Sequence, residues 1–390
     1  MSYRLLLLSP IPVHEGASGL ETLDLWARDL KGQCAVVDGV TLLARQGPAQ
    51  GDSTPLPTGV EVVDRDRLDA EALQRLVREH DVVQVGPEPG LFSSPAMTFV
   101  KAARAAGLCS ILGVSSNRAA TTIMNAEGQS LLRRIRARHQ ASRMTHAVQS
   151  LAHAVDGVFL TGYGLVEMLG QVDAEVYVCT ASWITENELI GEVQLKEKLA
   201  ASSGSLSLCV AARLEPMKGV HLAIDALRWL HDHASPGLPG AQLEIFGEGA
   251  EKPALIQRAK QAGLAEAVRF GGTYPYPGPF FHAISRHDIL LITNLNVEQP
   301  RIIFDAISQG LVPICPDSAP YQKLGVDKRV LYKRGDAESL AQVVQSFRTP
   351  EARADVMLAL RKMAGENTLE SMHKHRAEWV RSLLARRNRD

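Results

Sequence analysis

The sequence predicts an α/β protein built from two Rossmann-like domains, and three observations support this prediction. Short, continuous apolar runs alternate with helix-length segments, which is typical of parallel sheets covered by helices on both faces. The alternation stops in a polar stretch at residues 185–204, which runs into the SSGS at 202–205, and then starts again. The length of 390 residues exceeds one comfortable α/β core and suits two domains.

The first half of the chain, residues 1–190, is expected to form the first domain. Its strand candidates are RLLLLS at 4–9, VEVV at 60–63, DVVQVG at 81–86, CSILGV at 109–114, GVFLT at 157–161 and VYVC at 176–179. Helical segments are predicted between several of these strands, at 20–30, 70–79, 95–106 and 130–155.

The second half repeats the pattern, and residues 200–365 are expected to form the second domain. Its strand candidates are LSLCVAA at 206–212, LEIFG at 243–247, AVRF at 267–270, DILLIT at 288–293 and VPIC at 312–315. Residues 366–390 are predicted to form a C-terminal helix that carries Trp379 and packs back on the first domain.

Composition limits the classes of function. The net charge of -1 gives no overall field that would favour nucleic acid or an anionic membrane. The N-terminal MSYRLLLLSP is too short for the apolar region of a signal peptide, and no run approaches the roughly 18 apolar residues of a membrane span. The scattered cysteines include no CxxC pair, so we expect reduced, buried thiols without a disulfide framework or metal site, in a cytoplasmic protein; they are Cys34, Cys109, Cys179, Cys209 and Cys315.

The segment AARLEPMKG, at 211–219, places two cations directly after a strand. Ligands of open α/β sheets bind at the carboxyl ends of the strands. Arg213 and Lys218, five residues apart, have the chemistry to hold a diphosphate from two directions. The alternative interpretation is a pair of solvated surface cations.

Two glycine turns follow the next strands. In FGEGAEKPAL, at 246–255, Gly247 and Gly249 permit positive φ and a close approach of the backbone. In RFGGTYP, at 269–275, Tyr274 is a candidate apolar wall for a nucleotide base. Because glycine ends strands in many α/β proteins, a purely structural role is the alternative for both turns.

The segment TNLNVEQPRIIFDAISQGLVPI, at 293–314, predicts a strand, a helix and a second strand. Pro300 suits the first position of the helix and Gly310 its C-terminal cap. The free amides at a helix N-terminus bind anions. Glu298 and Asp305 are candidates for hydrogen bonds from sugar or ribose hydroxyls, and helix capping is their alternative role.

The ordered set ARLEPMKG, FGEG, VRFGG and EQPRIIFDAISQGLVPI resembles the donor domain of retaining family-4 glycosyltransferases of the GT-B fold, over roughly residues 206–340. The resemblance implies two domains facing across a cleft, with an acceptor domain first and a nucleotide-sugar donor domain second. It also implies that Arg213 and Lys218 neutralise the donor diphosphate, that Asp305 holds the ribose and that Glu298 holds the transferred sugar. The other residues assigned to donor binding are Gly16, Gly247, Gly249, Tyr274, Pro300, Arg301 and Ile302.

The sequence departs from the family pattern in two places. Asp305 stands where the family has a longer Glu, and the position expected for the first Glu is occupied by Val297, so that Glu298 comes one residue late. Either the loop is rearranged or the sugar is held differently, through Asn294 or Asn296.

In the first half, two loops after strands are candidates for the acceptor site. PIPVHEGASG, at 10–19, is expected to open a helix, with Gly16 bringing backbone amides to the diphosphate and with His14 and Glu15 handling protons. GVSSNRAATT, at 113–122, offers Ser116, Asn117 and Arg118 to an acceptor hydroxyl or anion. Surface, turn and capping roles are the alternatives.

The helical segment at 131–147 carries five arginines, Arg133, Arg134, Arg136, Arg138 and Arg143. A solvated helix face is one interpretation, and peripheral contact with the inner face of a membrane is the other.

Taken together, these features predict a metal-independent, hexosyltransferase-like enzyme without a cofactor, which moves a sugar from a nucleotide-diphosphate sugar to a glycan, lipid-linked or small-molecule acceptor. No strand-end carboxylate pair suited to a metal is found in the sequence, and retention of anomeric configuration follows from the family resemblance alone. Two alternatives stay open: another activity on nucleotide sugars, such as a 2-epimerase or phosphorylase, and a non-catalytic subunit that supports a partner transferase.

Overall fold

The computed structural model describes residues 2–17, 19–49, 51–88, 94–201, 205–234, 240–298 and 301–387. The chain divides into two compact units, Met1–Thr180 with Leu369–Asp390, and Ala181–Thr368. Each unit contains a parallel sheet with helices on its faces, so the predicted fold class is confirmed.

In the described part of the first unit, a seven-stranded parallel sheet has the order β10-β9-β8-β7-β1-β4-β6, and β2-β3-β5 form a small antiparallel sheet. The strands are β1 Arg4–Leu8, β2 His14–Gly16, β3 Gly19–Leu23, β4 Gly39–Ala44, β5 Ser53–Pro55, β6 Val60–Asp64, β7 Val82–Val85, β8 Cys109–Val114, β9 Gly157–Thr161 and β10 Glu175–Cys179. The helices are α1 Asp24–Cys34, α2 Ala70–Arg78, α3 Met97–Ala105, α4 Arg118–Met124, α5 Leu131–Ala152 and α6 Val166–Leu169.

The four leucines of β1 show why its apolar run is continuous. Successive side chains of a strand point to opposite faces of the sheet. Leu6 and Leu8 lie in one hydrophobic cluster, and Leu5 and Leu7 lie in another. All four are buried because both faces are covered.

In the described part of the second unit, six parallel strands have the order β13-β12-β11-β14-β15-β16. They are β11 Ser207–Ala211, β12 Gln242–Phe246, β13 Val268–Gly272, β14 Ile289–Leu291, β15 Val312–Pro316 and β16 Leu331–Tyr332. The helices are α7 Glu192–Ala201, α8 His221–Asp232, α9 Lys252–Gln261, α10 Gly278–Ile284, α11 Ile302–Ser308, α12 Ala319–Leu324, α13 Ala337–Ser346 and α14 Pro350–Glu366.

The C-terminal helix, α15 Leu369–Arg387, belongs to the first unit, as the fold prediction states. The indole of Trp379 stacks on Tyr177 with ring centroids 5.3 Å apart and donates a hydrogen bond of 2.9 Å to Glu175. Further along the helix, the buried His373 lies 3.3 Å from the carboxylate of Asp29. Apolar and polar contacts therefore both hold the helix against the first unit.

The amino ends of the central strands β11 and β14 are joined by a buried histidine. The imidazole Nδ1 of His287 lies 2.8 Å from the hydroxyl of Ser207, and the backbone amide of Ser207 donates to the carboxylate of Asp288. Burial of His287, together with the charge of Lys198, lowers its pKa from 6.5 to about 4. Lys218 and Asn294 follow the carboxyl ends of the same two strands. The contact therefore holds together the two strands that position these residues.

Acid should weaken the second unit through His287. Between pH 6.5 and about 4, the unfolded chain binds a proton that the folded chain does not, so stability is fully present above the unfolded pKa and is lost as the pH falls towards the folded one. We expect a loss of about 3 kcal/mol in the free energy of unfolding. Urea unfolding should show that the free energy of unfolding of His287→Gln falls less than that of the wild type between pH 6.5 and about 4. His146→Gln, which removes an exposed imidazole, is the control. The same pH dependence of the free energy of unfolding in His287→Gln and in the wild type would contradict the role of His287.

Candidate active site

The loop that carries Lys218 is bonded to the segment that follows β14. The hydroxyl of Thr293 donates to the carbonyl of Lys218 at 2.7 Å, and the amide of Leu295 donates to the carbonyl of Met217 at 2.9 Å. Gly219 closes the turn with a φ of 59°, and a Cβ at this position would overlap the carbonyl oxygen of Thr293. Only glycine fits there, and the position of Lys218 beside β14 follows from it.

The two glycines of the FGEG turn approach the backbone of the Arg213 loop. A Cβ on Gly247 or Gly249 would overlap the carbonyl oxygen of Ala212 or Leu214, respectively. The amide of Leu214 donates to the carbonyl of Glu248 at 2.9 Å. The close approach that the sequence predicts at these glycines is therefore made by the chain's own backbone, and it holds the loop of Arg213 in place.

Five ionic side chains form what we call the charged rim: Arg213, Glu215, Lys218, Glu298 and Arg301. Burial is the main cause that lowers the pKa of Lys218; Glu298 and Glu215 oppose this shift, and Arg213 and Arg301 add to it. The charges of the other four rim residues therefore act on one ammonium group. The structure thus brings together the two predicted diphosphate cations and the predicted sugar carboxylate.

Arg213 differs from Lys218 in its exposure. Its side chain is 68% exposed and forms an ion pair of 2.9 Å with Glu215, a partner that the sequence analysis missed. An exposed ion pair contributes little to stability. The guanidinium is therefore held in place by a partner that an anionic ligand can displace at low cost.

A polar network leads from β14 to Glu298. The side-chain Nδ2 of Asn294 donates to the Oδ1 of Asn296 at 3.2 Å, and the side-chain Nδ2 of Asn296 donates to the carboxylate of Glu298 at 3.0 Å. Both asparagines are buried. Glu298 and the two asparagines were alternative sugar ligands in the sequence analysis, and the structure places them in one connected group.

The second carboxylate, Asp305, lies on α11 and is only 7% exposed. It accepts a hydrogen bond of 3.1 Å from the hydroxyl of Tyr276. The sequence analysis selected Tyr274 instead, whose 40% exposed ring contacts Phe246 edge to face at 5.8 Å. Both tyrosines stand in the motif TYPYP, and their spacing of two residues gives no sign of which one faces α11.

An aromatic platform that the sequence analysis missed supports Arg301. Its guanidinium carbon lies 3.4 Å from the ring centroid of Trp183, a cation–π contact, and the Trp183 ring packs edge to face against Tyr276 at 6.1 Å. Trp183 belongs to the segment that precedes α7, far from Arg301 in sequence. Nothing in the local pattern connects the two residues.

The helix predicted from Pro300 to Gly310 is shorter than expected. It begins at Ile302, whose side chain packs against the hydrophobic core, and Pro300 lies outside the described residues. Gly310 has a φ of 74° and ends the helix as predicted, because its amide and that of Leu311 bond to carbonyls of the last turn. With seven residues, α11 positions Asp305 but supports no argument for an anion site at its N-terminus.

In the first unit, a pocket of about 100 Å³ opens at the carboxyl ends of β1, β7 and β8. Of the predicted acceptor residues, Ser116 and Arg118 line it. Asn117 instead accepts a hydrogen bond of 2.9 Å from the amide of Ala120 and so caps α4, which was the alternative interpretation.

The same pocket contains a carboxylate that the sequence analysis missed. Glu88 lines it and forms a bidentate pair with Arg65, at 2.7 and 3.0 Å. The Arg65 guanidinium also lies 5.6 Å from the ring centroid of Phe99, and its side chain is 6% exposed. A buried guanidinium therefore fixes the Glu88 carboxylate in one orientation.

The prediction that the loop at 10–19 opens a helix is wrong. Residues 14–16 and 19–23 form the antiparallel pair β2 and β3, and α1 begins only at Asp24. In this pairing, His14 lies opposite Glu21, with an imidazole-to-carboxylate distance of 3.8 Å, and Glu15 is exposed. Gly16 lies opposite Gly19, whose φ of 116° suits a tight hairpin end. The amides of this segment therefore serve a hairpin and not a helix N-terminus.

Two further observations concern the described residues alone. They contain no group of three or more His, Cys, Asp or Glu side chains arranged to hold a metal ion. None of their helices combines the length and the apolar character needed to cross a bilayer.

Comparison with known proteins finds one matching family and several similar solved structures. Residues 193–368 match the family described as glycosyl transferases group 1. HepE from Anabaena, in complex with UDP and glucose, aligns with a TM-score of 0.62 at 15% identity, over 97% of this chain and 100% of that one. Sucrose-phosphate synthase from Thermosynechococcus elongatus gives 0.67 at 13% identity, over 98% and 99%. WaaG, a glycosyltransferase involved in lipopolysaccharide biosynthesis, gives 0.62 at 15% identity, over 96% and 99%. No curated protein sequence matches the chain significantly.

Proposed function

We propose that this chain, which has the GT-B fold and matches glycosyl transferases group 1 over residues 193–368, is a glycosyltransferase that moves a sugar from a nucleoside-diphosphate sugar to an acceptor hydroxyl. One observation supports this most strongly. In the charged rim, the charges of Arg213 and Arg301 act on the partly buried ammonium of Lys218. Three neighbouring cations at the carboxyl ends of a parallel sheet suit a diphosphate.

The reaction requires charge stabilisation at the leaving group. The bond between the anomeric carbon and the diphosphate oxygen breaks, the acceptor oxygen bonds to that carbon, and the acceptor hydroxyl gives its proton to the departing diphosphate. Because negative charge grows on the diphosphate, fixed cations beside it stabilise the transition state more than the ground state. Lys218 and Arg213 supply this charge in our proposal, without a metal ion. We further propose that the anomeric configuration is retained, on the strength of the family resemblance.

The carboxylates and amides of the second unit take the hydroxyl groups of the donor in this proposal. Glu298 and the two asparagines bonded to it hold the transferred sugar, since together they offer both donors and acceptors. Asp305 holds the ribose, and Tyr276 orients its carboxylate. In this proposal, the hydrogen bond from Tyr276 compensates for the shorter reach of Asp305, whose side chain has one methylene less than the family's glutamate.

The pocket of the first unit is our candidate acceptor site. Its Ser116 hydroxyl, the Arg118 cation and the fixed Glu88 carboxylate can recognise hydroxyl and anionic groups. WaaG acts in lipopolysaccharide biosynthesis. This supports a glycan, glycolipid or polysaccharide product for the present chain as well.

The donor is identified by a thermal-shift screen with UDP, GDP, ADP and TDP and their sugars, followed by turnover with candidate acceptors. The complexes of HepE with UDP make UDP-sugars the first to test. We expect one nucleotide family to stabilise the protein, and the proton NMR spectrum of the product to show the donor's anomeric configuration. Conversion of donor without acceptor would instead indicate an epimerase. A complete lack of nucleotide binding would indicate a non-catalytic subunit.

A further inference from the structure

The first two turns of α5 project from the first unit. Every side chain from residue 131 to residue 136 is exposed, including three large apolar ones. Leu131 and Leu132 are each 69% exposed, and Ile135 is 54% exposed. Isolated exposed apolar side chains are common on proteins, but three within five residues of one helix form a patch.

The apolar side chains share one face of the helix. At 3.6 residues per turn, Leu131, Leu132 and Ile135 lie within about 100° of one another. Ala137 and Ala141, the buried residues of this half of α5, point to the opposite side. The helix thus has an inner face of alanines, packed on the first unit, and an outer apolar stripe. No described part of the chain covers this stripe.

Arginines border the stripe. On the same helical wheel, Arg136 and Arg138 fall on its two sides, and Arg133 and Arg134 lie further round the helix, on the side of Ala137. Residues 128–155 contain no Asp or Glu, in a chain whose net charge is only -1. Within the described ranges, none of these four arginines forms an ion pair with a carboxylate. Positive charge is therefore concentrated locally and is not neutralised.

We propose that the surface formed by Leu131, Leu132, Ile135 and the flanking Arg136 and Arg138, which we call the α5 stripe, docks on a bilayer that contains anionic lipids. Apolar side chains between flanking arginines match the boundary between acyl chains and headgroups of a bilayer. A nucleic acid or an acidic polymer would be bound by the arginines but would leave the leucines exposed to water. The coincidence of the stripe and the charge favours lipid.

The proposal goes beyond sugar transfer and also bears on the acceptor. α4 packs along α5, and Arg118 at the start of α4 lines the candidate acceptor pocket. Docking of the α5 stripe therefore brings the element that carries this pocket to the lipid surface. A lipid-borne acceptor, if that is the substrate, would meet the pocket without leaving the bilayer.

Vesicle co-sedimentation with the whole chain tests the docking. We expect binding to vesicles of equal parts phosphatidylglycerol and phosphatidylcholine, and little binding to phosphatidylcholine alone. The variant Leu131→Ser/Leu132→Ser/Ile135→Ser should bind the anionic vesicles at least about tenfold more weakly, because its apolar insertion is lost. Arg136→Gln/Arg138→Gln should also bind at least about tenfold more weakly, with a weaker dependence on salt.

Arg67→Gln/Arg75→Gln is the matched control, since it removes two exposed arginines from other elements of the same unit and should bind like the wild type. All substituted side chains are exposed, so thermal unfolding should be unchanged. Equal binding to neutral vesicles, no binding at all, or full binding by the serine variant would overturn the proposal; full binding by the serine variant would mark the surface as a site for polyanions. The assay contains no nucleotide, so its failure is distinct from failure of the proposed transferase activity.

Discussion

Replacing Lys218 with alanine is expected to lower kcat/KM by about 100-fold or more, the usual scale for a lost charge donor at a developing anion. The backbone of Lys218 is hydrogen-bonded to the segment that follows β14, and the charges of the other four rim residues act on its ammonium. Arg213→Ala is expected to act in the same direction. Steady-state transfer at saturating acceptor measures both effects.

Two comparisons separate this role from a loss of folding. Lys260→Ala removes an exposed lysine of the same unit, on α9, and should leave turnover unchanged. Because burial lowers the pKa of Lys218, activity should fall at alkaline pH before an ordinary lysine loses its proton, and Lys218→Arg should move that fall to higher pH. Wild-type turnover in both alanine variants would remove the diphosphate assignment.

The second large effect is expected at Asp305. Asp305→Asn should raise the KM for the donor by about tenfold to 100-fold, since hydrogen bonds to a charged group contribute about 1.5–3 kcal/mol. We expect kcat to change much less, because the ribose does not take part in the reaction. Donor titrations at saturating acceptor measure the two constants separately.

Tyr276→Phe is the informative companion to Asp305→Asn. It removes only the hydroxyl that donates to the carboxylate and leaves the ring contact with Trp183 possible. It should raise the donor KM less than Asp305→Asn does. The loss of donor binding free energy in the double variant should be smaller than the sum of the two single losses, since the residues act as a pair. A donor KM in Asp305→Asn equal to that of the wild type would contradict a ribose contact.

The fold could be predicted because parallel strands that are buried on both faces have largely apolar sequences. β1 and β9 contain continuous apolar runs, and both were found. β4, which contains the buried polar residue Thr41, was missed. The structure accommodates that hydroxyl through His80, at 2.8 Å, and Glu61, at 3.2 Å. A buried polar residue with distant partners cannot be distinguished from a loop residue by sequence period alone.

The charged rim was predictable in part for a similar reason. Arg213 and Lys218 follow a strand directly, and strand ends share one edge of a sheet. The partners that hold the rim come from elsewhere: Trp183 precedes α7, and Tyr276 follows β13. Such contacts are set by tertiary packing, which local spacing does not encode. The hairpin of β2 and β3 was missed because its strands are short and polar. Their sequences show neither the two-residue apolar period of a strand nor the 3.6-residue period of a helix.

Binding of the nucleoside diphosphate chosen by the screen, compared with binding of its nucleoside, tests the role of the charged rim most directly. Calorimetry should show that the wild type binds the diphosphate far more tightly than the nucleoside. In Arg213→Gln/Lys218→Gln this preference should largely disappear while the weak nucleoside affinity stays. An equal preference for the diphosphate in the wild type and in the variant would show that the diphosphate is held elsewhere.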